Sequence, residues 1–266
     1  MAMLKDKVVL ITGCFSEIGL STVHAYLSAG AKVFGCDIQQ PPAEISTFPN
    51  FLFHSCDVSK QADIDATVEA CLRFFDGRID VLLNVAGVSD QLVSVDTLDD
   101  SQYNRVVDID LTGPIKLMRA VIPYMRKQKS GSIVNVSSMT GLGGASGGVA
   151  YTAAKHGLIG ATKNVAWRYH RKGVRCTAIC PGGVRINITN AIIGDIDLEA
   201  MKNARPVLDI HFAPETTGSL DQKNEPIANG PIGPEEIANV LVFLGSDLSS
   251  AINGVALPVD KAWSSV

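Results

Sequence analysis

The sequence predicts a doubly wound α/β fold, with one parallel sheet between two layers of helix. Three observations carry that expectation. Short apolar runs without polar alternation recur along the chain, as in strands buried on both faces. Helical stretches separate them, so each strand can be returned to the same direction by a crossover. A turn bounded by glycines, Gly13-Cys-Phe-Ser-Glu-Ile-Gly19, joins the first run to the first helix.

Residues 7–12, KVVLIT, are the first strand. The helix at 18–29 is closed by Gly30. The second strand, 31–36, runs into Asp37. Strand, glycine turn, helix, strand and acid in that order let backbone N–H groups and a helix N-terminus meet a pyrophosphate. Asp37 follows Gly19 by eighteen residues, where a ribose-binding acid belongs. Its carboxylate can accept from both adenosine-ribose hydroxyls and repels a 2′-phosphate, and no arginine follows it. NAD is therefore the expected cofactor.

A polar, proline-rich connection spans 39–50, and a third strand at 51–56 ends in Asp57-Val58-Ser59. Residues 61–75 fit an amphipathic helix with Ile64, Val68, Cys71, Leu72 and Phe75 on its apolar side. The fourth strand, 79–84, ends in Asn84-Val-Ala-Gly87, whose small residues let the backbone pass close to a nucleotide. Helices are expected at 99–107 and 111–126, with Gly113-Pro114 starting the second or kinking it. The fifth strand, 131–136, leads into Ser137 and Ser138; a helix at 151–171 is ended by Gly173. The sixth strand, 174–179, is followed by Pro181-Gly182.

Residues 186–233 break the rhythm with four prolines and several polar turns, and their place beyond a strand end suits a substrate lid. A short helix is expected there at 198–203. Ile192, Ile193, Val207, Leu208, Ile210 and Phe212 are available to cover an apolar ligand. A helix at 235–244 starts after Pro234, and 255–259 is the last strand. The whole reads as a single domain over 1–266 with the lid inside it.

Composition narrows the function. The 266 residues are 46% hydrophobic and 19% charged, enough to build a sizeable core without metal or disulfide staples. A net charge of -4 argues against nucleic acid as the main partner. No apolar run is long enough to span a membrane, and the N-terminus lacks a signal-peptide pattern. A soluble cytoplasmic protein is expected. The six cysteines form no CxxC pair, so buried free thiols are expected rather than a metal site.

The stretch SMTGLGGASGGVAYTAAK, from Ser138 to Lys155, holds the candidate chemistry. Tyr151 and Lys155 are four residues apart and share a face if helix begins near Ala150. A lysine beside a phenol favours the phenolate, which makes a proton-transfer pair.

Taken together, Thr12-Gly13…Gly19, Asp57-Val58, Asn84-Val-Ala-Gly87, Ser138, Tyr151-Thr-Ala-Ala-Lys155 and Pro181-Gly182 resemble the classical short-chain dehydrogenase/reductase family over roughly residues 5–260. The resemblance implies a Rossmann-type domain and an NAD site made by Gly13, Ser16, Glu17, Ile18, Gly19 and Asp37. It implies adenine contacts from Asp57 and Val58, and positions beside the ribose for Asn84, Ala86 and Gly87. Pro181, Gly182 and Val184 would lie at the nicotinamide. Ser138 would hydrogen-bond the substrate oxygen, Tyr151 would exchange the hydroxyl proton, and Lys155 would bind the nicotinamide ribose and lower the tyrosine pKa. Homodimers or homotetramers through the helices near 111–126 and 151–171 are likewise implied.

Three positions depart from the family pattern. Glu17 replaces a glycine and brings a like charge towards the pyrophosphate, so weakened NAD binding is expected. Asp110, in Asp110-Leu-Thr-Gly113, replaces the catalytic asparagine, and would either accept from a water relay or pair with Lys155. Ile186 removes a hydroxyl expected near the nicotinamide amide. The implied activity is NAD-dependent interconversion of a secondary alcohol and a ketone on a hydrophobic small molecule, cyclic ones included, of specialised metabolism. The alternatives are a non-redox isomerase, dehydratase or cyclase on the same scaffold, and a ligand-binding protein with a vestigial site.

Overall fold

In the computed structural model, which describes residues 3–185, 196–212 and 231–265, seven parallel strands form one sheet. They are β1 (Val8–Thr12), β2 (Lys32–Asp37), β3 (Phe51–Ser55), β4 (Val81–Asn84), β5 (Gly131–Val136), β6 (Val174–Pro181) and β7 (Ala256–Val259). Their order is β3-β2-β1-β4-β5-β6-β7. The helices are α1 (Glu17–Ser28), α2 (Gln61–Phe74), α3 (Asp100–Val107), α4 (Gly113–Gln128), α5 (Val149–Tyr169), α6 (Leu198–Phe212) and α7 (Pro234–Gly245). This is the expected Rossmann-type three-layer arrangement.

The apolar runs are unalternated because both faces of the sheet are covered. Val9 and Ile11 of β1 pack into one cluster with Val23 and Tyr26 of α1 and Ile237 and Leu241 of α7. Val8 and Leu10 face the other way, among Ile64 and Val68 of α2 and Leu117 and Val121 of α4. All four β1 side chains are at most 3% exposed, and each burial of this size stabilises by about 1.5–3 kcal/mol. All six cysteines are buried and free, as expected.

The structure corrects three element expectations. The helices read as 99–107 and 111–126 are one continuous helical path. A π-helical turn, Asp108–Thr112, joins α3 to α4, and the Gly113 amide bonds the Asp108 carbonyl five residues back. Pro114 falls in the first turn of α4, where a missing N–H costs nothing. The helix expected at 198–203 continues to Phe212 through Pro206, so the segment after the sixth strand carries 15 helical residues. The sixth strand itself runs on to Pro181. Ile186, Ile192 and Ile193 lie outside the described residues, as do the side chains of Ile210 and Phe212. No helix among the described residues is long and apolar enough to cross a membrane.

Candidate active site

The chain leaves β1 towards β2 on one side of the sheet, and β4 pairs with β1 on the other. That reversal opens a crevice beyond the carboxyl ends of β1 and β4, the place where open α/β sheets bind ligands. Most of the candidate residues lie at or just after strand ends, whereas Tyr151 and Lys155 are carried by α5 and Asp110 by the turn before α4.

At the end of β1, Gly13 takes φ +63, and a Cβ there would stand 2.6 Å from Ala86 Cα. Thr12 Oγ1 closes the same gap by accepting from the amides of Val85 at 3.1 Å and Ala86 at 3.2 Å. Ser16 caps α1, its hydroxyl donating to the Gly13 carbonyl and accepting from the Gly19 amide. Gly19 has no room for a Cβ, which would run into the Gly13 carbonyl. Glu17 is the exposed first residue of α1 and stands on its positive end, with half-buried Ile18 beside it.

Asp37, 7% exposed, ends β2. Its Oδ2 accepts from the Phe15 amide and its Oδ1 from the Gln39 amide, both at 2.9 Å. The acid thus ties the glycine turn to the end of β2 and keeps lone pairs for a ribose. A cradle stripped of side chains at Gly13 and Gly19, a helix N-terminus and a carboxylate at the next strand end together fit a dinucleotide.

Burial opposes ionisation of Asp57, but the Ser59 hydroxyl and amide and the Lys60 ammonium outweigh it and hold the acid below the usual carboxylate range. Val58 is buried, its carbonyl packed where Gly113 has no side chain. Gly87 is exposed at the crevice, and a Cβ there would be 3.3 Å from Asp110 Oδ2 and 3.4 Å from Lys155 Nζ. Asn84 goes elsewhere. Its side chain turns into the sheet and donates to Asn135 Oδ1 at 2.7 Å, and Asn135 donates to Thr162. At 1% exposure it cross-links β4 to β5, whereas Ala86 and Gly87 keep the crevice positions.

Ser138 follows β5, and Tyr151 and Lys155 lie one turn apart on α5. The Ser138 side chain stands beside the Tyr151 phenol and favours its ionised form. Lys155 Nζ is 5.3 Å from the Tyr151 ring centroid, donates to the Val136 carbonyl at 3.0 Å, and is 3.0 Å from Asp110 Oδ2. Asp110 Oδ1 accepts from the Val88 amide at 2.8 Å. Asp110 thus pairs directly with Lys155, one of the two roles open to it. The pair is nearly sealed, with Asp110 0% and Lys155 4% exposed.

Electrostatics at the three groups are set by burial and by each other. Burial pushes the Tyr151 phenol above its ordinary pKa; Lys155 pulls it down, and Asp110 adds to the push. Burial lowers Lys155, but Asp110 and then Tyr151 more than offset it, so the ammonium is held above its ordinary value. Burial also raises Asp110 against the pull of Lys155.

Pro181 ends β6, and the Gly182 amide donates to the Val259 carbonyl at 3.0 Å. A Cβ on Gly182 would meet Asp260 at 2.9 Å and the Trp263 ring at 3.4 Å. Val184 pairs with Ile232 in a parallel bridge, which brings the returning chain to the same edge of the crevice.

Two features were not foreseen. Asp90, 1% exposed, accepts from the amides of Leu92, Gly148 and Tyr151. Asp197 caps α6 through the Glu199 and Ala200 amides and also accepts from Thr97 Oγ1 at 2.8 Å. Neither belongs to a periodic pattern, and each also binds a partner distant in sequence, Gly148 and Tyr151 for Asp90 and Thr97 for Asp197. An Asp-x-x-Ala start was the only local trace of the second.

A family model described as short chain dehydrogenase matches residues 7–196. The chain is 47% identical to the short-chain dehydrogenase/reductase cdmF of Talaromyces verruculosus, over the full length of both. It is 46% identical to asnovolin H dehydrogenase, nvfC, of Aspergillus novofumigatus, again over the full length of both. Among solved structures it is similar to levodione reductase, at 31% identity and a TM-score of 0.84 over 99% of each chain.

Proposed function

The chain belongs to the short-chain dehydrogenase/reductase family, and on that premise we propose that it interconverts a secondary alcohol and a ketone with NAD. The observation that carries the reading is the convergence of the Ser138 hydroxyl and the Lys155 ammonium on Tyr151 beside the glycine cradle. When bound, the nicotinamide supplies hydride transfer. Ser138 orients the reacting oxygen, and Tyr151 takes its proton in oxidation or returns it in reduction. Lys155, charged and held by Asp110, favours the phenolate.

Asp37 supports NAD over its 2′-phosphorylated form, because a buried carboxylate at the ribose repels a second anion. The substrate is a hydrophobic small molecule of specialised metabolism. Exposed Val95, Leu142, Leu198 and Met201 support that class, since they lie on the loops and helix that follow the sheet's carboxyl edge. The 186–233 segment is the lid of a single domain. A cytoplasmic homodimer or homotetramer through α4 and α5 completes the reading, supported by exposed Ile115, Tyr124 and Trp167 on those helices.

A panel of cyclic secondary alcohols with NAD, followed by absorbance of reduced nicotinamide, tests the proposal. Tyr151→Phe is expected to lower turnover by about a hundredfold or more. Product formed without any change in the nicotinamide would replace the reading with an isomerase or dehydratase. Full activity in Tyr151→Phe would remove the phenol from the chemistry.

A further inference from the structure

Asp90 stands in the loop after β4 and is buried to 1% exposure. Both its oxygens accept from backbone amides, Oδ1 from Leu92 and Gly148 at 3.1 Å each and Oδ2 from Tyr151 at 3.0 Å. The need for such a partner is built into α5. Its N-cap is Gly148, which makes no side-chain cap bond, so the amides of the first turn have no local acceptor. Asp90 supplies the cap from 58 residues away. Gly148 is the residue that permits this, because a Cβ there would collide with the Asp90 carboxylate.

A carboxylate is favoured at a helix N-terminus, and charge-assisted bonds are roughly twice as strong as neutral ones. A second stitch runs beside it, from the Val149 amide to the Val93 carbonyl at 3.1 Å. The 21-residue helix that carries Tyr151 in its first turn is therefore seated from outside. The same loop also holds the start of α6, since the Asp197 amide donates to the Gln91 carbonyl at 3.0 Å.

We propose that Asp90 is a positioning residue, which fixes the first turn of α5 and with it the place and field of the Tyr151 phenol. The proposal rests on Tyr151 being the acid–base group. The charged groups that act on the phenol are Lys155 on α5, Asp110 from the π-helical turn and Asp90 from the loop, with the Ser138 side chain beside it. Lys155 draws the phenol towards ionisation, whereas Asp110 and Asp90 hold it protonated.

The test is Asp90→Asn, which keeps the shape and one acceptor but removes the charge. Protein labelled with fluorotyrosine is titrated by fluorine NMR, the Tyr151 signal being identified by its absence from Tyr151→Phe. Amide exchange at Tyr151 is followed in parallel. The expected result is a midpoint of the phenol moved to lower pH and exchange about tenfold faster or more. Gly148→Ala pushes against the same carboxylate from the helix side and is expected to change both readings; it decides the matter if Asp90→Asn does not fold. An unmoved midpoint in the folded variant overturns the proposal even where exchange quickens, because the cap is then structural only. Neither reading needs turnover, so each can fail while Tyr151→Phe still abolishes activity, and the reverse.

Discussion

At the scale of single residues, Asp110 carries the largest departure from the family pattern, and the structure gives it a partner. Removing one member of a buried ion pair ordinarily costs about 3–5 kcal/mol, because the other charge is stranded. Asparagine at 110 can still accept from Val88, and Lys155 keeps the Val136 carbonyl. Asp110→Asn is thus expected to lose less than that, and to leave Lys155 acting on Tyr151 with only Asp90 opposing it. The pH profile of oxidation should move to lower pH, measured as kcat/KM against pH; a profile that stays in place would detach Asp110 from the phenol. Glu17 is the second such residue. It sits on the same positive helix end that a pyrophosphate would use. A charge at that position is worth about 0.3–1 kcal/mol. Glu17→Gln is therefore expected to tighten NAD binding roughly two- to fivefold by calorimetry, and unchanged affinity would show that the side chain points clear of the site.

At the scale of elements, the π-helical turn and α6 were the parts least legible beforehand. A five-residue widening between two helices leaves no mark in apolar spacing, since both flanks keep their own helical pattern. It nevertheless places Asp110 inward, against Lys155. In α6, the helix expected only over 198–203 continues through Pro206 to Phe212. Its start depends on Asp197, which the Ala200 amide, Thr97 hydroxyl and Glu199 amide hold below the usual carboxylate range. An acid lowered on folding adds stability above its unfolded pKa, and that stability is lost as pH falls through the folded value. Asp197→Ala is expected to loosen α6 and raise KM for an apolar alcohol while leaving the Tyr151 pH profile in place. Unchanged protection of α6 amides from exchange would show that other contacts hold it.

At the scale of the whole molecule, the buried thiols govern behaviour in base. Burial pushes the thiols of Cys71 and Cys176 up to about 12, and burial followed by the Asp37 charge raises Cys14 further. In the unfolded chain these groups ionise near pH 8.5. Their folded pKa values are raised, so their contribution is complete below that pH and is lost as pH rises towards the folded values. Stability should decline by about 1.4 kcal/mol per thiol per pH unit above roughly pH 9. Urea unfolding at several pH values checks this, and a flat profile would mean the thiols ionise in the native state.

Much of this architecture was determined by the sequence itself. Apolar strands without alternation required a sheet covered on both faces, and the glycine turn followed by Asp37 required a dinucleotide-type crevice. Those signals are local, because strand burial and turn sterics act over a few residues. Ser138, Tyr151 and Lys155 were legible for the same reason, being set by one strand end and one helix turn. Tertiary structure alone decided that Asp110 pairs with Lys155, that Asn84 turns into the sheet towards Asn135, and that Asp90 caps α5 from another element. Each of these is a polar group taken out of water, and its partner is whichever donor or acceptor the packing of distant segments brings within reach.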